Sequence, residues 1–300
     1  MTTHHQGSKL EGIASILAVV LIWSGWMAIS RLGVTHALNA ADIAAIRFFV
    51  SGLILLPWWM KNITWFGPKG LGGIILAICL GAPYTFIAVS GMHYATVAHA
   101  GMIYGISACL TCLMGMWLLG EYSTPVKLAG LVITMLGALA LMSKGSTHAE
   151  LSLGHFLFIV AGGLLSLYAI LVKKWKVPAF TAAANVCVWS LLLYLPVYVM
   201  FLPKQIMTAS SSELCLQVVY QGVITSIGGL IFFNRGVAIL GASQASAFMP
   251  LVPALATLIS IPLLGEVPSS VEWLGICLIS VGILLASGVV RFGCKKWVNV

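Results

Sequence analysis

Leu118-Leu119-Gly120-Glu121 and Leu263-Leu264-Gly265-Glu266 close two apolar runs 145 residues apart, and the reading of those runs decides the fold. Laid over each other without a gap, residues 91–140 and 236–285 agree at twelve of fifty positions. Leucine matches between apolar segments carry little weight. The identically placed Leu-Leu-Gly-Glu carries more, as do the glycines after it, where Gly130 and Gly137 fall on Gly275 and Gly282. The chain of 300 residues therefore reads as two copies of one unit.

Composition says what the unit is made of. Hydrophobic residues make up 60% of the chain and charged residues 7%, with a mean hydropathy of +1.06. A soluble domain carries about 25% charged residues, so soluble, disordered and nucleic-acid-binding classes are excluded. The net charge of +8 sits in small groups between apolar runs, the pattern of membrane surfaces. Helices need about 20 apolar residues to cross the hydrocarbon. The sequence predicts spans near 12–33, 41–60, 70–91, 96–118, 125–142, 154–172, 180–202, 217–239, 242–264 and 271–290. The runs are continuous rather than alternating, which predicts an all-α bundle of ten transmembrane helices instead of a barrel. The first run is too long for a signal-peptide core and holds Trp23-Ser24-Gly25-Trp26 in place of a cleavage site, so it reads as a retained helix. Seven scattered cysteines imply no disulfide framework, and Cys109-x-x-Cys112 lies inside a span without further zinc ligands, so it reads as packing.

Ten spans put both termini on one side. Eleven basic residues fall on that side (Lys9, Lys61, Lys69, Lys127, Lys173, Lys174, Lys176, Arg235, Arg291, Lys295 and Lys296), against Arg31, Lys144 and Lys204 on the other. The positive-inside rule makes the termini cytoplasmic. The expected division is 1–148 and 149–300, five helices each. Five is odd, so the second copy enters the membrane inverted, with Glu121 cytoplasmic and Glu266 outside. Inverted repeats suit alternating access to a site near the midplane.

These residues resemble a known family. The Leu-Gly-Glu endings (Gly120, Glu121, Gly265, Glu266), the paired Gly-x6-Gly and Arg47 in Ile46-Arg47-Phe48 are similar to the drug/metabolite transporter superfamily, its ten-helix EamA type above all. The resemblance implies an exporter of amino acids or other small metabolites in the cytoplasmic (inner) membrane. One departure is visible: the second copy has Met249-Pro250 where the first has Tyr104-Gly105.

The candidate substrate-binding residues are Trp23, Trp26, Ser30, Arg47, Tyr84, His99, Tyr104, Ser107, Gln221, Thr225, Gln244 and Pro250. An intramembrane guanidinium needs a partner or a wet cavity. Arg47 is thus read as an anchor for a substrate carboxylate, or as a structural Arg that bonds helix ends or snorkels toward Asp42. Trp23, Trp26 and Ser30 share an arc of the first span, as a cavity wall or as plain packing. Tyr104 and Ser107 lie on a small-residue stripe of span four, with His99 pointing well away from it. Gln221 and Thr225 share a face of span eight, and Pro250 frees backbone carbonyls beside Gln244. Gly162-x-x-x-Ser166 reads as close packing.

The sequence has no nucleotide-binding loop and no hydrolase or zincin motif, and it predicts neither enzyme nor cofactor. All seven carboxylates fall at or beyond span ends. That predicts facilitated diffusion or weak coupling, with Glu11 and His99 as the titratable candidates for a coupled carrier. The favoured reading is a secondary transporter of neutral or aromatic amino acids, monomer or homodimer in the bilayer, with no nucleic-acid partner. The rivals are an exporter of cationic drugs and, from another class, a membrane enzyme or non-transporting scaffold.

Overall fold

The computed structural model describes residues 8–62, 71–120, 123–143, 149–241, 244–245 and 247–287. The described residues are helical, without β-strand. In chain order the helices are α1 (Lys9–His36), α2 (Ala40–Lys61), α3 (Gly72–Tyr94), α4 (Val97–Leu119), α5 (Pro125–Ser143), α6 (Ala149–Lys174), α7 (Ala179–Phe201) and α8 (Ser211–Leu240). Then come α9 (Leu251–Leu264) and α10 (Ser270–Ala286). The first eight are long and apolar enough to cross a membrane; α9 and α10 are shorter apolar helices where two further spans were expected.

Helix ends follow from local chemistry. Asn39 with Asp42, Ser210 with Glu213 and Ser269 with Glu272 form reciprocal capping boxes that open α2, α8 and α10. Gly120 and Gly265, the glycines of the repeated Leu-Gly-Glu, close α4 and α9 at φ +65° and +68°. A side chain there would be strained, which is why the motif carries glycine in both copies. Three spans depart from regularity. The α3 helix is interrupted at Gly81, and α4 opens with a detached turn, Val97–Ala100, before Met102–Leu119. Residues Val218–Gly228 of α8 widen into a π-helix. Span nine begins later than expected, at Leu251, because the chain before it turns through Phe248 to Pro250.

Packing repeats with the sequence. The most extensive contact is α5 on α10, and α2 packs on α7. The pair α1–α8 is matched by α6–α3, α1–α9 by α6–α4, and α3–α7 by α8–α2. The detail repeats too. A Cβ on Gly236 would meet Ile16 and the Gly12 carbonyl, and one on Gly91 would meet Phe158 and the Gly154 carbonyl. At the α5–α10 crossing, a Cβ on Gly130 or Gly137 would lie 2.7 Å from the carbonyl oxygen of Gly282 or Gly275. The repeated glycine pairs therefore let the two backbones touch. Gly162 packs on Ile103 and Ile106, and the Thr111 hydroxyl donates to Ser166 at 3.0 Å, so that stripe serves helix packing. Large apolar side chains such as Trp117, Met200 and Phe201 cover the periphery.

The exchange fails at one end. At the far end, where α1 finishes and α2 begins, α1 also packs on α3 and α4, and α4 on α10. These contacts have no comparable counterparts among the described residues at the near end, where α1 begins.

Candidate functional site

The cluster at the centre grows out of Trp23-Ser24-Gly25-Trp26. Trp23 leans on Phe233 of α8, with ring centroids 5.7 Å apart. Ser24 donates to the Val252 carbonyl of α9 at 3.1 Å. Gly25 leaves room for the Tyr220 hydroxyl, which donates to the Ile22 carbonyl. Trp26 turns to the middle of the bundle, stacked on Tyr84 at 6.3 Å and 18° between planes.

The Arg47 guanidinium carbon lies 5.5 Å from the Trp26 ring and 5.4 Å from Phe48, distances of cation–π attraction. Tyr84, Tyr104 and Cys187 are within its electrostatic reach. Its Nε is shut off from solvent with no hydrogen-bond partner. Asp42 is committed elsewhere: it accepts from Tyr198 at 2.6 Å, Gln205 N at 3.0 Å and Asn39 N at 3.1 Å. The snorkelling pair with Asp42 is thereby removed, and Arg47 remains inside the bundle among rings.

Between α1 and α8, Gln221 donates to the Ser30 hydroxyl at 2.9 Å and to Gln217 Oε1 at 3.2 Å, while Gln217 donates to the Ile29 carbonyl. The antiparallel register that joins Gln221 to Ser30 places Thr225 opposite Trp26. Gln221 and Thr225 both lie in the π-helical stretch, a distortion common at functional sites. Gln221 Oε1, Thr225 Oγ1 and Trp26 Nε1 join Arg47 Nε as buried polar atoms without partners. Each such atom costs about 1–3 kcal/mol. Two donors, one acceptor and a hydroxyl are the groups that a ligand carrying both kinds could satisfy.

Of the residues expected at the site, Trp26, Arg47 and Tyr84 come together with Tyr104 in electrostatic reach, and Ser30 and Gln221 are hydrogen-bonded to each other, with Thr225 one turn further along α8. Ser107 is buried three residues beyond Tyr104 on the same face, and Pro250 is buried at the start of α9. Trp23 belongs to the α1–α8 seam, and Gln244 is exposed. Cys109 and Cys112 contact the Leu131 carbonyl and Ser123, as packing residues do. His99 faces another way. Its Nδ1 is 2.6 Å from His155 Nε2, and its Nε2 is 3.0 Å from Glu272. Glu11 pairs with Arg235 at the near end. Glu121 lies outside the described residues.

A lock at the far end was not foreseen. Arg31 Nε donates to Glu266 at 2.7 Å, and its Nη1 donates to the carbonyls of Met92 and His93. Glu266 also accepts from Val97 N at 3.0 Å. One pair thus joins α1, the end of α3, the first turn of α4 and the turn after α9. The sequence signal was present: two opposite charges at span ends assigned to the same surface.

Comparison with known proteins agrees with this architecture. The EamA-like transporter family matches the chain twice, at residues 10–143 and 152–288. The chain is 27% identical over 215 residues to an uncharacterized transporter, YyaM, of Bacillus subtilis, covering 67% of this chain and 68% of that one. It is 26% identical to a probable terminal-alkyne amino-acid exporter of Streptantibioticus cattleyicolor, over 92% of this chain and 93% of the exporter. A crystal structure with no stated activity shares the fold, at a TM-score of 0.64 and 20% identity, over 93% of this chain and 97% of that one. With both halves matched by one profile, the chain belongs to the EamA-like transporter family and is a multi-pass membrane transporter.

Proposed function

We propose that this transporter exports amino acids, neutral or aromatic ones first, by alternating access to the centre formed by Trp26, Arg47, Tyr84, Gln221 and Thr225. The reading takes all ten helices as spans, residues 1–148 and 149–300 as inverted repeats, both termini as cytoplasmic and the inner membrane as its site. The far end is then the outer one. The observation that carries the substrate is the set of buried polar atoms without partners on α1, α2 and α8. Arg47 Nε and Trp26 Nε1 suit a carboxylate, and Gln221 Oε1 and Thr225 Oγ1 suit an ammonium. Stacked Trp26 and Tyr84 offer an aromatic wall. The kinship with an amino-acid exporter supports the same class. A fixed cation in the centre disfavours cationic drugs.

The test is counterflow in proteoliposomes preloaded with one unlabelled amino acid at a time and offered a labelled neutral one. Accelerated label entry is expected for neutral and aromatic amino acids. Arg47→Gln should slow it by about ten- to a hundredfold, the worth of a charged hydrogen bond, while Trp23→Phe leaves it near wild type. No counterflow with any amino acid, in protein that elutes as a folded species, would overturn the substrate class.

A further inference from the structure

Substrate binding at the centre leaves unused the buried trio of His155 on α6, His99 on the detached turn of α4 and Glu272 at the start of α10. The two rings are stacked with centroids 4.9 Å apart, and both are almost wholly buried. Glu272 holds α10's capping box with Oε2, accepting from Ser269 N at 2.7 Å, and reserves Oε1 for His99. We propose that these three residues form a one-proton binding site that ties closure of the far end to protonation. The proposal rests on alternating access as read above.

Hydrogen placement allows two states. In the first, the His155 Nε2 proton is donated to His99 Nδ1, and the His99 Nε2 proton to Glu272. A proton added at His155 Nδ1 lets the Nε2 proton pass to His99 Nδ1, making His99 an imidazolium between a ring lone pair and a carboxylate. One N–H bond forms at each ring and one breaks at His155. The added proton brings the trio from −1 to neutral, which matters where charge is poorly solvated.

Among the described residues, the neighbouring charged groups do not cancel that charge. On α1, Arg31 is committed to Glu266, which in turn binds Val97 N two residues from His99. On α3, His93 contacts the Val34 carbonyl with Nδ1 and Tyr94 with its ring. The trio joins α4, α6 and α10, so an opening of the far end that parts these helices separates at least two of its members. A separated imidazolium returns to water and an ordinary affinity. The closed form therefore binds the proton more tightly, and by linkage low pH favours closure.

Counterflow is measured at about pH 5.5 and 7.5, on either side of an ordinary imidazole. Wild type should be about fivefold or more slower at the lower pH, while His99→Gln and His155→Gln should bring the ratio within about twofold of unity. Profiles of both variants that superimpose on wild type, or a pH-independent wild type, would overturn the site. A second readout needs no substrate. NMR titration of labelled histidine rings in nanodiscs should show His99 and His155 responding together, with a midpoint lowered by about one unit in Glu272→Gln. An unmoved midpoint overturns the site. If the titration behaves as stated while counterflow is absent, the substrate reading falls and the proton site stands.

Discussion

The two ends of the bundle each carry an ion pair between arginine and glutamate, built to different strengths. At the far end Arg31 and Glu266 are 15% and 16% exposed and share three further backbone bonds. At the near end Arg235 and Glu11 are 55% and 40% exposed, the only bonds of either side chain among the described residues being to each other. Removing one partner of a buried pair strands a charge and costs about 3–5 kcal/mol, whereas an exposed pair contributes about 0–1. The far end also has the helix contacts that the internal exchange does not reproduce. Among the described residues, the far end is therefore held by the stronger contacts.

The largest expected effect strikes the crossing both ends share. In Gly282→Val the new side chain begins 2.6 Å from Thr134 N and 2.7 Å from the Gly130 carbonyl, both backbone atoms in α5. Overpacking of this kind costs about 1–3 kcal/mol or more. Thermal denaturation followed by tryptophan fluorescence should show a clear loss. Because the crossing serves both ends, far-end accessibility in the surviving folded protein should stay as in wild type. A rise confined to the far end would mean the glycines belong to the lock instead.

Glu266→Gln tests the lock directly. The amide oxygen of the variant can still accept from Arg31, but the guanidinium loses its counter-charge in a nearly closed site. The expected destabilisation is about 2 kcal/mol, reduced from the fully buried value because both groups keep some solvent. In a background freed of native cysteines, Ala95→Cys reports on the far end, since Ala95 is buried beside the junction of α3 and α4. Maleimide labelling there should rise about tenfold with Glu266→Gln. Unchanged labelling would show that the Arg31–Glu266 pair does not hold the end shut.

Legibility in the sequence divides along the same line. Helices, the repeat and the α5–α10 glycines were readable because hydropathy and offset glycines report contacts made by whole segments. Trp26, Arg47, Tyr84, Gln221 and Thr225 were readable as costly polar or aromatic residues in mid-span, although the sequence could not say that Asp42 is engaged by Tyr198 or that Trp23 faces α8. For the far-end lock the sequence placed both charges on one surface but could not pair them. Arg31 and Glu266 are 235 residues apart, and His155 meets His99 across 56. Such partners are chosen by tertiary register, which periodicity does not encode. The π-helical stretch of α8 was hidden for a similar reason, since its composition fits an ordinary apolar helix.

The smallest effect belongs to Glu11→Gln, and it decides between the two titratable candidates that the sequence offered. Glu11 is exposed in the first turn of α1, and Ser8 already caps that helix. Losing its bond to Arg235 should cost well under 1 kcal/mol. Thermal stability and counterflow should therefore stay near wild type, and the ratio of rates at about pH 5.5 and 7.5 should be unchanged. If the ratio collapses in Glu11→Gln and survives in His99→Gln, the proton is read at the near end through an exposed pair. The buried His99–His155–Glu272 trio would then be a structural clamp, and the stronger end of the molecule would hold without sensing.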